Sequence, residues 1–373
     1  MPEAWREVRI GLDVHVLNGP PQGTASAWRN LLRHLPPLHE YRLYSFDPAL
    51  TARLFPERHF VHCRIPIHQP HVRIQLVYPW LARRDHCDAF HVNYYGPWLG
   101  APGLVVTIHD VIYLDFPEYA PAGRRRQMAL LGSLSARAAR QITTVSEYSK
   151  RRIIERFGVR AEKVSVVPNG LGREWTEPDG AGIAAAWARL APRVPDRFVL
   201  AVGRLDPRKN LPLTARVTRE LRRLKLVDGL VVVGPDDFGG PAIRRAWAAE
   251  GTAELVTHFS GLHTPELQAL YTHASCLLFL SLAEGFGLPL LEAMAMGTPV
   301  VASNRTAMPE VCGDAACLVD PADEEAVVAA ARSVLSDDAV RANFVDRGRS
   351  RVPLYAGDPT ARQMLEVYRR AVN

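Results

Sequence analysis

Two carboxylates with seven residues between them, Glu284 and Glu292, bracket the segment Gly285-Phe286-Gly287-Leu288-Pro289-Leu290-Leu291. An apolar run, Cys276–Leu280, precedes it, and Pro289 can open a helix within it. Gly285 and Gly287 let the backbone approach a ligand closely. The amides of Phe286, Gly287 and Leu288 lie at the helix start, where N–H groups attract anions and hydroxyls. A carboxylate would repel phosphate but accepts hydrogen bonds from a polyol, so the pattern points to sugar recognition, one glutamate for a sugar and the other for a ribose. Glu292 taken alone is equally a partner for the helix dipole.

A second turn, Gly203-Arg204-Leu205-Asp206-Pro207-Arg208-Lys209-Asn210, also joins an apolar run to a helical one. Arg204 and Lys209 supply two cations for a diphosphate, each pair contributing on the order of 4 kcal/mol at 4 Å in a partly screened site before desolvation. On its own the turn reads equally as an exposed basic loop. Earlier in the chain His109-Asp110 follows the apolar run Leu104–Ile108. A histidine there is more often structural than catalytic, but its position at a strand end aims it at a ligand. The turn Asn18-Gly19-Pro20-Pro21-Gln22-Gly23-Thr24 leads into a helix whose first amides, beginning at Gly23, could face a phosphate or sugar.

These turns need a scaffold that aligns strand ends, and the rest of the chain provides one. Short apolar runs alternate with helical stretches, the mark of βαβ units and parallel sheets. Strands are predicted near Val8–Val16, Tyr41–Phe46, Ala89–Val92, Leu104–His109, Gln141–Val145 and Val164–Val167. A second series covers Phe198–Gly203, Leu230–Val233, Leu255–Phe259, Cys276–Leu280, Val300–Ala302 and Cys317–Val319. The Pro- and Gly-rich stretch Pro168–Asp196 between them reads as a linker. Helix starts are marked by Ser146, by Asn210 with Pro212, and by Thr264 with Glu266. The expected division is 1–180, 181–355 and a final helix, 356–373, that could pack back on the first domain.

With 373 residues, 47% hydrophobic and 23% charged, the chain reads as globular and large enough for two domains. No apolar run is long enough to span a bilayer, and Met1–Arg9 lacks a signal peptide's apolar stretch, so a cytoplasmic location is expected. Cys63, Cys87, Cys276, Cys312 and Cys317 form no Cys-x-x-Cys pair and read as reduced, buried thiols. The net charge of +6 is modest and calls for no nucleic acid.

Taken together, the Glu284 to Glu292 run resembles the E-x7-E motif of retaining glycosyltransferases of the GT-B fold, in the large family 4 type that includes many bacterial mannosyl- and glucosyltransferases. Gly297-Thr298-Pro299-Val300-Val301-Ala302-Ser303, Pro309-Glu310-Val311, Val202-Gly203-Arg204 with Arg208-Lys209-Asn210, and Thr144-Val145-Ser146-Glu147-Tyr148-Ser149 are similar to the same family, in its order. The resemblance runs from about residue 104 to 335. It implies two Rossmann-like parallel-sheet α/β domains facing each other across a cleft that binds a nucleoside-diphosphate sugar, GDP-mannose or UDP-glucose, as co-substrate. It also implies that Glu284 and the amides of Phe286, Gly287 and Leu288 hold the donor sugar, Glu292 the ribose, and Arg204 and Lys209 the leaving diphosphate. Leu262 and His263 would meet the base, and His109 would lie beside the transferred sugar. Catalysis would be mainly electrostatic and retaining. Since the sequence holds no Asp-x-Asp tripeptide, no metal-bridged diphosphate is expected; the resemblance implies no other cofactor. The family's first turn commonly carries two adjacent glycines, and only Gly23 stands near the helix start here.

For the acceptor, a glycan or lipid-linked sugar, the aromatic group Tyr94, Tyr95 and Trp98, with Asp110, offers stacking faces and a polar contact. Arg124, Arg125, Arg126, Arg137 and Arg140, followed by Lys150, Arg151, Arg152 and Arg156, form either a solvated basic face or a peripheral contact with anionic lipid at the inner membrane face. The segment His109-Asp110-Val111 with Phe116-Pro117-Glu118-Tyr119 is similar to members that transfer mannose in bacterial polysaccharide assembly. A soluble small-molecule acceptor, or a non-catalytic nucleotide-sugar binding protein, are the alternatives. A nicotinamide oxidoreductase would need Gly-x-Gly-x-x-Gly after the first strand, which is missing.

Overall fold

A computed structural model describes residues 7–19, 23–236 and 239–373. The chain divides into two compact units, residues 1–172 with 355–373, and residues 173–354.

The first unit is built on seven parallel strands: β1 (Arg9–Asp13), β2 (Glu40–Ser45), β3 (Phe60–Arg64), β4 (Ala89–Asn93), β5 (Leu104–Thr107), β6 (Gln141–Thr144) and β7 (Val164–Val166). Their order is β3-β2-β1-β4-β5-β6-β7. β4 and β5 are buried at every position, as expected of strands covered on both faces. Gly11 is required in β1, because a Cβ there would lie 2.5 Å from Cδ2 of Phe90. The terminal helix Gly357–Val372 belongs to this unit, burying Ala361, Met364, Val367, Tyr368 and Ala371 in one cluster with Ile10, Leu12, Trp28 and Val105. Each such large apolar side chain contributes about 1.5–3 kcal/mol.

The second unit carries six parallel strands: β8 (Phe198–Val202), β9 (Gly229–Val233), β10 (Val256–Phe259), β11 (Cys276–Phe279), β12 (Val300–Ser303) and β13 (Cys317–Val319), in the order β10-β9-β8-β11-β12-β13. Its core gathers Val199 and Ala201 of β8 with Leu230, Val232, Leu278 and Val301.

Several local expectations are corrected. The first strand stops at Asp13 and the chain turns into a 3-10 helix, His15–Asn18, because Asp13 pairs with His15 rather than continuing an apolar ladder. β3 escaped sequence reading, since Phe60-Val61-His62-Cys63-Arg64 has neither an apolar run nor clean alternation. The stretch read as a linker holds two helices, Arg173–Thr176 and Gly180–Leu190, the latter capped by Asp179. The division falls at 172/173 rather than 180, and Trp175 packs edge-on against Tyr271 of the second unit, with ring centroids 5.7 Å apart. The helix expected to start at Thr264 takes His263 as its cap, whose N–H donates to Oε2 of Glu266 at 2.9 Å.

Candidate active site

In an open parallel sheet the ligand crevice lies beyond the carboxyl ends of the strands where the order reverses. In the second unit that point is between β8 and β11. The turn after β8 and the turn after β11 are the two segments whose residue types suggested donor chemistry. Leu282 N–H donates to Arg208 O at 2.7 Å, tying the turns together by backbone. Across this join Lys209 Nζ donates to Glu284 Oε1 at 2.6 Å, with each side chain 13% exposed. Lys209 Nζ also stands 4.8 Å from the centre of the Phe279 ring. Gly203, at φ +146°, makes room for it, since a Cβ would meet Lys209 Cε at 2.6 Å.

Glu284 is held from behind as well. Its N–H donates to Oγ1 of Thr306 at 3.0 Å, and its carbonyl accepts from Ala307 N–H at 3.4 Å. Thr306 sits at φ 54°, a region that a β-branched residue adopts only under tertiary constraint. The helix Leu288–Ala295 begins after Gly287, which has φ 110°, so the first amides of that helix emerge from a sharp turn. Phe286 turns its ring into the core and Leu288 is half-buried.

Glu292 lies within the same helix and accepts from Tyr271 Oη–H at 2.9 Å. Burial pushes its carboxyl up to about 7, aided by the charge of Glu174 and opposed by the Tyr271 hydrogen bond and by Lys209. The Lys209 charge therefore acts on both glutamates. Arg204 is exposed on the turn after β8, beside the loop that leaves β9: a Cβ on Gly234 would meet Gly203 O at 2.1 Å and Arg204 N at 2.9 Å. Leu262 and His263 follow β10, where Gly261 takes φ +71°. Tyr271 and Thr306 were not singled out in the sequence, where nothing marks them as neighbours of the two glutamates.

In the first unit the order reverses between β1 and β4. Tyr94 follows β4 at φ 66°, hydrogen-bonds Thr24 Oγ1 through its hydroxyl at 2.7 Å, and tilts over His109 with ring centroids 5.2 Å apart. His109 has a buried Nε2 with no hydrogen-bond partner among the described residues, and it lines a cavity of about 40 Å³ with Trp28, Asn93, Thr107, Thr143 and Asn169. Burial lowers its pKa to about 4, so the ring is neutral near pH 7. Its carbonyl accepts from Thr144 Oγ1 at 3.1 Å. Asp110 Oδ1 accepts from Ile112 N–H at 3.1 Å. Tyr95 is half-buried, and burial raises its phenol to about 12. Trp98 is exposed, and its backbone N–H donates to Gln75 Oε1 at 3.0 Å. Gly23 opens the helix Gly23–His34, while Pro20, Pro21 and Gln22 of the same turn lie outside the described residues.

Beneath this edge runs a polar network that sequence reading missed. His91 bonds Tyr368 Oη at 2.9 Å and Thr107 Oγ1 at 2.6 Å, and Thr107 bonds Thr143 Oγ1 at 2.6 Å. Trp28 Nε1–H donates to Asn93 Oδ1 at 2.8 Å. Asp13 accepts from or pairs with His15 Nδ1 at 2.6 Å; burial acts against its charge, but His15 and Arg73 hold its carboxyl below the usual range. The one sequence signal was an aspartate closing an otherwise apolar strand.

Comparison with known proteins agrees with both units. Residues 188–351 match the model of glycosyl transferases group 1, and residues 21–174 that of glycosyltransferase family 4. The chain is 30% identical to the O-antigen chain mannosyltransferase B of Escherichia coli, over 77% of this chain and 76% of that protein. It is 34% identical to the MMP alpha-(1->4)-mannosyltransferase of Mycolicibacterium hassiacum, over 74% of this chain and 66% of that one. Its fold matches that of Anabaena HepE, solved with UDP-glucose, at a TM-score of 0.73 and 16% identity, covering 96% of this chain and 99% of that one. Two Rossmann-like parallel sheets, the paired glutamate and lysine at the switch point of the second, and these relatives lead to one assignment: the chain belongs to the GT-B glycosyltransferases of the family 4 type.

Proposed function

We propose that this glycosyltransferase is a retaining, metal-independent mannosyltransferase that uses GDP-mannose and extends a glycan or lipid-linked acceptor in bacterial polysaccharide assembly. The observation that carries the reading is the Lys209–Glu284 pair at the β8/β11 switch point, 2.6 Å long and mostly sheltered from water. In the resting protein Glu284 keeps Lys209 placed. With donor bound, the sugar's hydroxyls would donate to Glu284, and Lys209 and Arg204 would turn their charge to the diphosphate. That charge grows as the glycosidic bond to phosphate breaks, so the two cations stabilise the transition state more than the bound donor. Glu292 would accept from the ribose hydroxyls, and Leu262 and His263 would offer backbone contacts to the base. In the first unit the neutral His109, with Tyr94, Tyr95 and Asp110, would contribute polar and stacking contacts to sugar. The mannosyl relatives support mannose as the transferred sugar.

The test is transfer from GDP-mannose and, in parallel, UDP-glucose to a short glycan acceptor, with and without EDTA, and with the product anomer read by NMR. An α-linked mannosyl product formed equally in EDTA is expected. A β-linked product overturns retention, loss of activity in EDTA that added metal restores overturns metal independence, and preference for UDP-glucose overturns the donor.

A further inference from the structure

The hydrogen-bond chain beneath His109 has a direction, and the terminal helix Gly357–Val372 sets it. Tyr368 is fully buried on that helix, and burial holds its phenol well above the usual range, so the group is an O–H. A buried O–H needs an acceptor, and among the described residues Tyr368 Oη has one partner, His91 Nδ1 at 2.9 Å. The phenol therefore donates. His91 is buried and neutral, its pKa lowered by burial to about 3, so a ring that accepts at Nδ1 carries its proton on Nε2. That proton goes to Thr107 Oγ1 at 2.6 Å. Thr107, already an acceptor, gives its own to Thr143 Oγ1 at 2.6 Å, across a direct pair in the β5/β6 register. Thr143 is thus left with a hydroxyl proton to give.

The free end of the chain meets the cavity of about 40 Å³, which Thr143 lines together with His109, Asn169 and, from the terminal helix, Thr360. Asn93 also lines it, but its amide is already used, accepting from Trp28 Nε1–H and donating to Asp13 O. His109 is the group left wanting: its Nε2 is buried and has no partner among the described residues, and burial keeps the ring neutral. A water needs roughly 10–15 Å³ of such space and at least two polar partners, and this cavity offers both.

We propose that water in this cavity accepts from Thr143 and donates to His109 Nε2, so that Tyr368, acting through His91, Thr107 and Thr143, holds His109 as the tautomer with its proton on Nδ1. The ring then offers Nδ1–H as its one donor, with a fixed direction, instead of exchanging donor and acceptor edges. Tyr368 and Thr143 are positioning residues in this scheme, and the terminal helix is part of the first unit's site as well as of its core. The tautomer follows from the chain and the cavity; its effect on transfer rests on the proposed contact between His109 and the sugar.

Nitrogen-15 NMR of the full chain labelled in its histidine rings tests it, the His109 signals being those lost in His109→Gln. The unmodified chain should show His109 with Nδ1 protonated and Nε2 bare at neutral pH. Thr143→Val, which keeps the shape and removes the hydroxyl, should move His109 towards the other tautomer, while Thr143→Ser should keep the parent pattern. Tyr368→Phe, which frees His91 to reverse the chain, should give a mixture and serves if Thr143→Val does not fold. A protonated Nε2 in the unmodified chain overturns the proposal, as does a parent pattern in folded Thr143→Val or Tyr368→Phe, or the same change in Thr143→Ser as in Thr143→Val. Transfer by Thr143→Val should fall about fivefold in kcat, with the donor KM little changed. A changed tautomer with unchanged transfer would uphold the chain and instead remove His109 from the sugar contact.

Discussion

The two units place their candidate residues at equivalent points, the reversal of strand order, and build opposite environments there. In the second unit the switch point is charged: a lysine bonds one glutamate and its field reaches another. In the first it is neutral: His109 and His91 are both stripped of their charged forms by burial, to about 4 and about 3, and aromatic rings surround them. The difference matches the ligands proposed for the two edges. A diphosphate needs fixed cations, whereas an uncharged sugar face is held by stacking and neutral hydrogen bonds. On the proposed function, the same topology would serve two chemistries through the residues that follow each strand.

The sharpest way to break this contrast is to remove the charge of the second site. Lys209→Ala should lower kcat/KM by about 10²–10³, the range found when a group that stabilises developing charge is lost. Glu284→Gln should keep Lys209 hydrogen-bonded and still reduce transfer strongly. Steady-state kinetics with the true donor decides, and activity equal to the parent in either variant removes its assigned role.

The neutral site makes a pH prediction. A histidine whose folded pKa lies below its unfolded value binds fewer protons when folded, so stability is full above about pH 6.5 and falls as pH drops. The loss should approach about 1.4 kcal/mol per pH unit for each of His91 and His109 as pH falls towards 4. Thermal melting across pH should show this slope reduced in His109→Gln. An unchanged slope would mean that His109 is already charged in the folded chain.

Glu292 separates stability from binding. Its raised carboxyl pKa means that stability falls as pH rises from the ordinary glutamate range through about 7. Glu292→Gln should therefore melt higher than the parent above about pH 7 while binding nucleoside diphosphate about tenfold more weakly, through loss of a charged hydrogen-bond acceptor. Calorimetry and titration read both quantities on one sample, and a variant that loses both stability and affinity would make Glu292 structural. The smallest effect is expected for Tyr94→Phe. Losing the 2.7 Å bond to Thr24 should change the acceptor KM only a few-fold, since an exposed neutral hydrogen bond contributes about 1 kcal/mol, and leave donor binding unaltered.

Sequence alone determined what chain-local rules control. Apolar runs placed most strands of both sheets to within a residue or two, because burial on both faces leaves a run rich in Val and Leu. The turns bearing Glu284 and Lys209 were visible because their glycines, prolines and charges are consecutive. What it left open depends on groups that meet only after folding. Lys209 and Glu284 are 75 positions apart and His91 and Tyr368 are 277 apart, so no local pattern joins them. Folding brings together side chains from separate strand ends, and the low-dielectric surroundings that raise Glu292 and lower His109 exist only once both sheets are covered.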